Sequence, residues 1–150
     1  MTTHFTSGVT NVSADGTFGK IKAPDPTKYH VYHEDFNTYA AADFTITTTE
    51  DGTGSATEAL GDGDGGLLVV TNAAGDNDAD FFQLVKEGFK YEAGKQIAFK
   101  ARFKTSDADA SDVVMGLQIT DTSPLDVTDG MFFLLTDGST TLQFIVEKDS

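Results

Sequence analysis

An all-β fold, an antiparallel β-sandwich or jelly roll with an extended N-terminal arm, is predicted by three features of the chain. Short apolar runs alternate with polar residues at the two-residue period of a half-buried strand. Clusters of Asp, Gly, Ser and Pro separate these runs, as turns between short strands require. Threonine occurs 21 times in 150 residues, and its branched side chain favours extended backbone. No long segment carries the 3.6-residue period of a helix.

Residues 1–33 read as the arm. Phe5, Val9, Val12, Phe18 and Ile21 are too widely spaced to bury one another, yet they suit pockets on another surface. Ala23-Pro24-Asp25-Pro26 imposes extended or turn geometry with missing backbone donors. A disordered leader is the plain alternative. The sandwich is expected over residues 34–150. Its first strand is Asp43–Thr49, where Phe44 and Ile46 alternate with threonines. Glu50–Ala59 is polar and leaves a loop, an edge strand and a single helical turn open. The glycine-rich link Gly61–Gly66 leads into Leu67–Thr71, whose continuous apolar character predicts a strand buried on both sides.

Asp80–Val85 is the next expected strand. In Ile97–Thr105, Ile97, Phe99, Ala101 and Phe103 fall on one face and Lys100, Arg102 and Lys104 on the other, which is the clearest strand signal in the chain. Burial of Phe99 and Phe103 is expected from it. Val113–Ile119, Met131–Leu135 and Leu142–Val146 complete a set of seven or more short strands.

A chain of this length fits one domain with a sizeable core. With no cysteine, it uses neither disulfides nor thiol chemistry. Its polar start, and the lack of any apolar run near the roughly 18 residues of a membrane span, give no sign of a membrane segment or a cleaved signal peptide. Twenty-four acidic residues against ten basic ones give a net charge of −14, which repels nucleic acid and anionic membranes. The charge is segregated: no Lys or Arg lies between Tyr29 and Val85, whereas the arm carries Lys20, Lys22 and Lys28.

Chemistry-bearing motifs are sparse. The aspartates at 62 and 64, at 76, 78 and 80, and at 107, 109 and 112 offer oxygen ligands of the kind calcium prefers. None completes an EF-hand pattern, and polar turns explain them equally. Glycosidase chemistry needs two opposed carboxylates, one with a raised pKa, and glycine-flanked loops give no reason to expect that burial. His4, His30 and His33 read as surface histidines. Nucleophile-elbow and dinucleotide motifs are absent, and the aspartates within Gly61–Gly66 would oppose a phosphate. Phe36, Tyr39 and Phe44 are expected at the entry to the core, and Tyr29 and Tyr32 either pack the arm or stack on a sugar. No residue is assigned a catalytic, cofactor-binding or metal-binding role.

The stretches Asp35-Phe36-Asn37-Thr38-Tyr39 and Gly61–Leu68, continuing through Phe99–Phe103, Ser111–Leu117 and Asp129–Phe133, resemble a family of tailed-bacteriophage structural proteins with a concanavalin-like lectin fold. The resemblance spans much of residues 35–146. It implies a virion component at the capsid surface, a decoration or cement protein, with the sandwich as platform and the arm as attachment device. The partner-binding residues are then expected to be Phe5, Phe18, Ile21, Lys20, Lys22 and Lys28. The major capsid protein or neighbouring virion subunits are the expected partners, with a second copy of the chain and a surface glycan as further candidates. Neither nucleic acid nor membrane is expected. Such jelly rolls carry more strands than are counted here, so either the chain lacks a C-terminal part or it is a looser relative. A non-catalytic carbohydrate-binding module is the alternative function, and a glycoside hydrolase a distant third.

Overall fold

Among the described residues every strand is short, so each depends on its ladder neighbour for backbone hydrogen bonds and on a second surface for burial. The computed structural model describes residue 27 and residues 29–148, apart from 64, 74, 76 and 108. The described residues form an all-β structure with several antiparallel sheets and one short 3₁₀ turn, Ala41–Asp43. The chain divides into two units, one ending at Asp80 and the other beginning at Phe81.

The first unit contains β1 (Phe44–Thr49), β2 (Thr57–Leu60) and β3 (Leu68–Thr71), and β4 (Ala79–Leu84) starts at its end. In β1 the alternation places Phe44 and Ile46 half-buried and Thr45 in solvent. β2 and β3 form an antiparallel hairpin with Thr57 opposite Thr71 and Leu60 opposite Leu68. The Gly61 amide closes it by donating to the Leu67 carbonyl at 2.8 Å. β2 thus occupies the end of the stretch left open between loop, strand and helical turn, and Glu50 Oε1 accepts the Ala56 amide at 2.6 Å just before it.

Gly66 is fixed by its surroundings. Its φ of +79° is left-handed, and an added Cβ would collide with the Asp35 carbonyl and approach the Asn37 nitrogen to 2.8 Å. The turn at Asp35–Asn37 and the glycine-rich link therefore touch backbone to backbone.

The expectation that Leu67–Thr71 is buried on both sides is not met. Val69, Val70 and Thr71 are exposed and only Leu68 is half-buried. A two-stranded ribbon has no second layer of its own to cover it, and apolar character alone does not supply one.

The second unit is built on a three-stranded antiparallel sheet of β5 (Val113–Gln118), β6 (Gly130–Leu135) and β7 (Gln143–Glu147), in that order. Val113 faces Leu135, Phe132 lies between Gly116 and Ile145, and Phe133 lies between Met115 and Phe144. Gly116 is dictated by this register, because a Cβ there would come within 2.5 Å of the Phe132 Cα. The buried hydrophobic residues among those described are Val127, Phe132 and Leu135. Val127 belongs to the β5–β6 connection, which is tied down by the Ile119 amide on the Asp129 carbonyl at 3.1 Å and by Gln118 Nε2 on the Pro124 carbonyl at 3.0 Å.

A second correction concerns Ile97–Thr105. The segment forms no strand, and Phe99 and Phe103 are 38% and 46% exposed rather than buried. Period-two alternation records which side chains are apolar; a strand also needs a partner backbone in register. Here β6 takes both of its ladders from β5 and β7.

Candidate attachment surface

The β5–β6–β7 register determines which side chains share a face, because residues directly opposite in an antiparallel ladder point the same way. Val113, Met115 and Leu117 of β5, Met131, Phe133 and Leu135 of β6, and Phe144 and Val146 of β7 fall on one face. All eight are apolar. The opposite face mixes Phe132, Leu134 and Ile145 with Gln118, Gln143 and Glu147.

The apolar face is partly covered. Phe99 tilts against Phe133 with ring centroids 6.5 Å apart, and Phe133 meets Phe144 at 5.2 Å. Phe99, Ala101, Phe103, Met115, Phe133 and Leu142 line a hollow of about 240 Å³, with Lys100 at its side. That volume is below the roughly 300–1,000 Å³ of small-molecule pockets. Cover fails toward the outer strand, where Phe144 is 57% and Val146 67% exposed. Lys100, Arg102 and Lys104 are all exposed, and of the three Lys100 lines the hollow.

Two of the three acidic clusters organise turns; Asp64 and Asp76 lie outside the described residues. In the first unit Asp78 Oδ1 accepts the Asp51 amide at 2.6 Å, its Oδ2 accepts the Gly75 amide at 3.0 Å, and its carbonyl accepts Asn72 Nδ2 at 3.1 Å. Thr48 Oγ1 donates to Asp80 Oδ1 at 2.7 Å. In the second unit Asp107 Oδ1 accepts the Asp109 amide at 3.0 Å and Asp112 Oδ1 the Asp137 amide at 2.7 Å, while the Gly138 amide donates to the Asp109 carbonyl at 2.9 Å. Carboxylates spent on backbone amides in this way act as turn staples. Among the described residues no group of three or more His, Cys, Asp or Glu is placed to hold a metal ion. His30 and His33 are both exposed.

Tyr39 stacks near Phe44, with centroids 6.1 Å apart, beside a recess of about 90 Å³ that Glu34, Phe36 and Asp43 help to line. Its hydroxyl is buried without a hydrogen-bond partner among the described residues. Burial first, and the Glu58 carboxylate second, raise its pKa. Burial, then Glu34 and Asp43, act likewise on Tyr32, which with Tyr29 is about half exposed. Tyr91 is also raised, by burial, and its hydroxyl donates to the Leu117 carbonyl at 2.7 Å.

The six residues expected to bind a partner, Phe5, Phe18, Ile21, Lys20, Lys22 and Lys28, lie outside the described residues. The surface at β7 was not singled out from sequence, although the signal is present: Phe144 and Val146 alternate with Ile145, and the strand has no charge before Glu147. Among the described residues no helix is long and apolar enough to cross a membrane. In comparisons with known proteins, the chain matches no family model, no curated protein and no solved structure.

Proposed function

We propose that the chain is a structural virion protein, a decoration or cement protein seated on the capsid surface of a tailed bacteriophage. On this reading its antiparallel sheets belong to a concanavalin-like sandwich of jelly-roll type, and the arm of residues 1–33 engages the shell. The observation that carries the reading is the all-apolar face of β5–β6–β7, which runs out to exposed Phe144 and Val146 on a chain of net charge −14. Apolar side chains left exposed at the end of such a face, on an otherwise highly charged chain, fit a macromolecular contact. Strong net charge limits non-specific association of free copies. The choice of assembly rests on the sequence resemblance of Asp35–Tyr39, Gly61–Leu68, Phe99–Phe103, Ser111–Leu117 and Asp129–Phe133 to phage structural proteins.

Capsids stripped of their surface proteins and reconstituted with the full-length chain test the proposal. Electron microscopy should show regular occupancy, and replacing Phe5, Phe18 and Ile21 together by alanine should reduce it more than replacing Lys20, Lys22 and Lys28 at physiological salt, because screening weakens charge contacts and spares apolar ones. Failure of the intact chain to occupy the shell removes the capsid role. Glycan binding without shell occupancy would move the function to carbohydrate recognition.

A further inference from the structure

We propose that the outer edge of β7 pairs antiparallel with β7 of a second copy about a two-fold axis at Ile145, joining two three-stranded sheets into one of six strands. This pairing stands on the sheet register and does not rest on the capsid role. Among the described residues β7 is flanked on one side only, by β6, so its other edge presents backbone groups with no strand partner there. Edge strands in soluble proteins are usually blunted by Pro, an inward charge or Lys, and β7 carries none of these until Glu147 and the adjoining Lys148 at its end. The other outer strand, β5, is half-buried along its whole length, whereas Phe144 and Val146 are among the most exposed apolar residues described.

A second copy is favoured over an unrelated strand by self-complementarity. With the axis at Ile145, Phe144 faces Val146 of the other copy twice, and Ile145 faces itself. Aromatic against β-branched residues are favourable cross-strand pairs. Glu147 faces Gln143 and Lys148 faces Leu142, so no like charges oppose each other. Moving the axis to Val146 would set Ile145 against Glu147 and Phe144 against Lys148. Moving it to Phe144 would set Ile145 against Gln143. The Ile145-centred register alone keeps the strand's apolar residues on apolar partners while preserving the faces. It also extends the apolar face across the junction, and a two-fold contact closes without forming a filament.

The absence of cysteine makes a single introduced thiol a clean reporter. Opposed residues of an antiparallel ladder lie about 4.5–5.5 Å apart at Cα, within the roughly 4.4–6.8 Å a disulfide spans. Ile145→Cys should give a disulfide-linked dimer under mild oxidation. Phe144→Cys and Val146→Cys should crosslink with each other when mixed, faster than either does alone. Sedimentation equilibrium of the unmodified chain should show a dimer that tightens as salt screens the mutual repulsion. Val146→Lys, a change at an exposed position, should weaken it at least about tenfold with the melting temperature of the monomer retained. A monomer at all salt concentrations, or no Ile145→Cys crosslink, overturns the pairing. Faster self-crosslinking by Phe144→Cys than by Ile145→Cys overturns the register.

Discussion

The β2–β3 hairpin and the β5–β6–β7 sheet have the same antiparallel geometry and comparable strand-forming sequences, but they are held differently. In the second unit the sheet supports buried Val127, Phe132 and Leu135, and its turns are pinned from Asp109 and Asp112. In the first unit none of the described hydrophobic residues is fully buried, and the tightest features are polar, chiefly the Asp78 carboxylate between two backbone amides and the contact of Gly66 with the Asp35–Asn37 turn. Pairing makes a strand; a third strand and a covering connection are what turn its apolar residues into a core.

The strongest way to break this contrast is Phe132→Ala. Phe132 is 2% exposed and packed between Gly116 and Ile145, so its removal should cost about 3–5 kcal/mol in chemical denaturation. A loss below about 1 kcal/mol would mean the sheet has no core worth the name. In the first unit the corresponding test is polar: Asp78→Ala removes the acceptor of two backbone amides and should cost about 1–3 kcal/mol, with faster hydrogen exchange at Asp51 and Gly75. Unchanged exchange at both would show that Asp78 staples nothing.

Phe103→Ala sharpens the comparison within the second unit. At 46% exposed the ring yields roughly half the transfer energy of full burial, about 1 kcal/mol, and Lys100→Ala should fall within about 0.5 kcal/mol of zero. A cost near that of Phe132→Ala would restore a fully buried strand at Ile97–Thr105. The smallest effect is in pH. Tyr32, Tyr39 and Tyr91 all have raised pKa values, so the fold holds these protons longer than the unfolded chain does. Their contribution is intact below the ordinary tyrosine pKa of about 10 and is lost as pH rises through the folded values. Phenolate absorbance should therefore lag behind that of the denatured chain, and the tyrosine contribution to the melting temperature should fall in that alkaline range; coincident titrations would remove the effect.

Much of this architecture was legible in the sequence. The expected strands at Asp43–Thr49, Asp80–Val85, Val113–Ile119, Met131–Leu135 and Leu142–Val146 each overlap an observed strand to within a residue or two, because turn residues bound them and short runs leave little room for slippage. Ile97–Thr105 carried the best alternation and formed no ladder, since pairing depends on which backbones meet and not on one segment's pattern. Leu67–Thr71 became a strand without the expected burial for a related reason: a continuous apolar run says nothing about the number of layers around it. At the apolar face the residue types were visible, but the exposure of Phe144 and Val146 depends on how little of the rest of the chain covers β7 compared with β5, the other outer strand, which no local pattern encodes.

The backbone contact at Gly66 also has a kinetic consequence. It closes residues 38–65 into one loop that contains both β1 and β2, and the entropy of joining its ends grows with loop length. The β2–β3 hairpin spans far fewer residues and belongs to a class that forms in about 1–10 μs, so once zipped it shortens the path that the later closure must bring together. That order of events would set the Gly66 latch late, after the transition state. Gly66→Ala should chiefly speed unfolding, whereas Val69→Ala, within the hairpin, should slow refolding; a slowed refolding arm for Gly66→Ala would put the latch first and make that close approach the seed around which the first unit assembles.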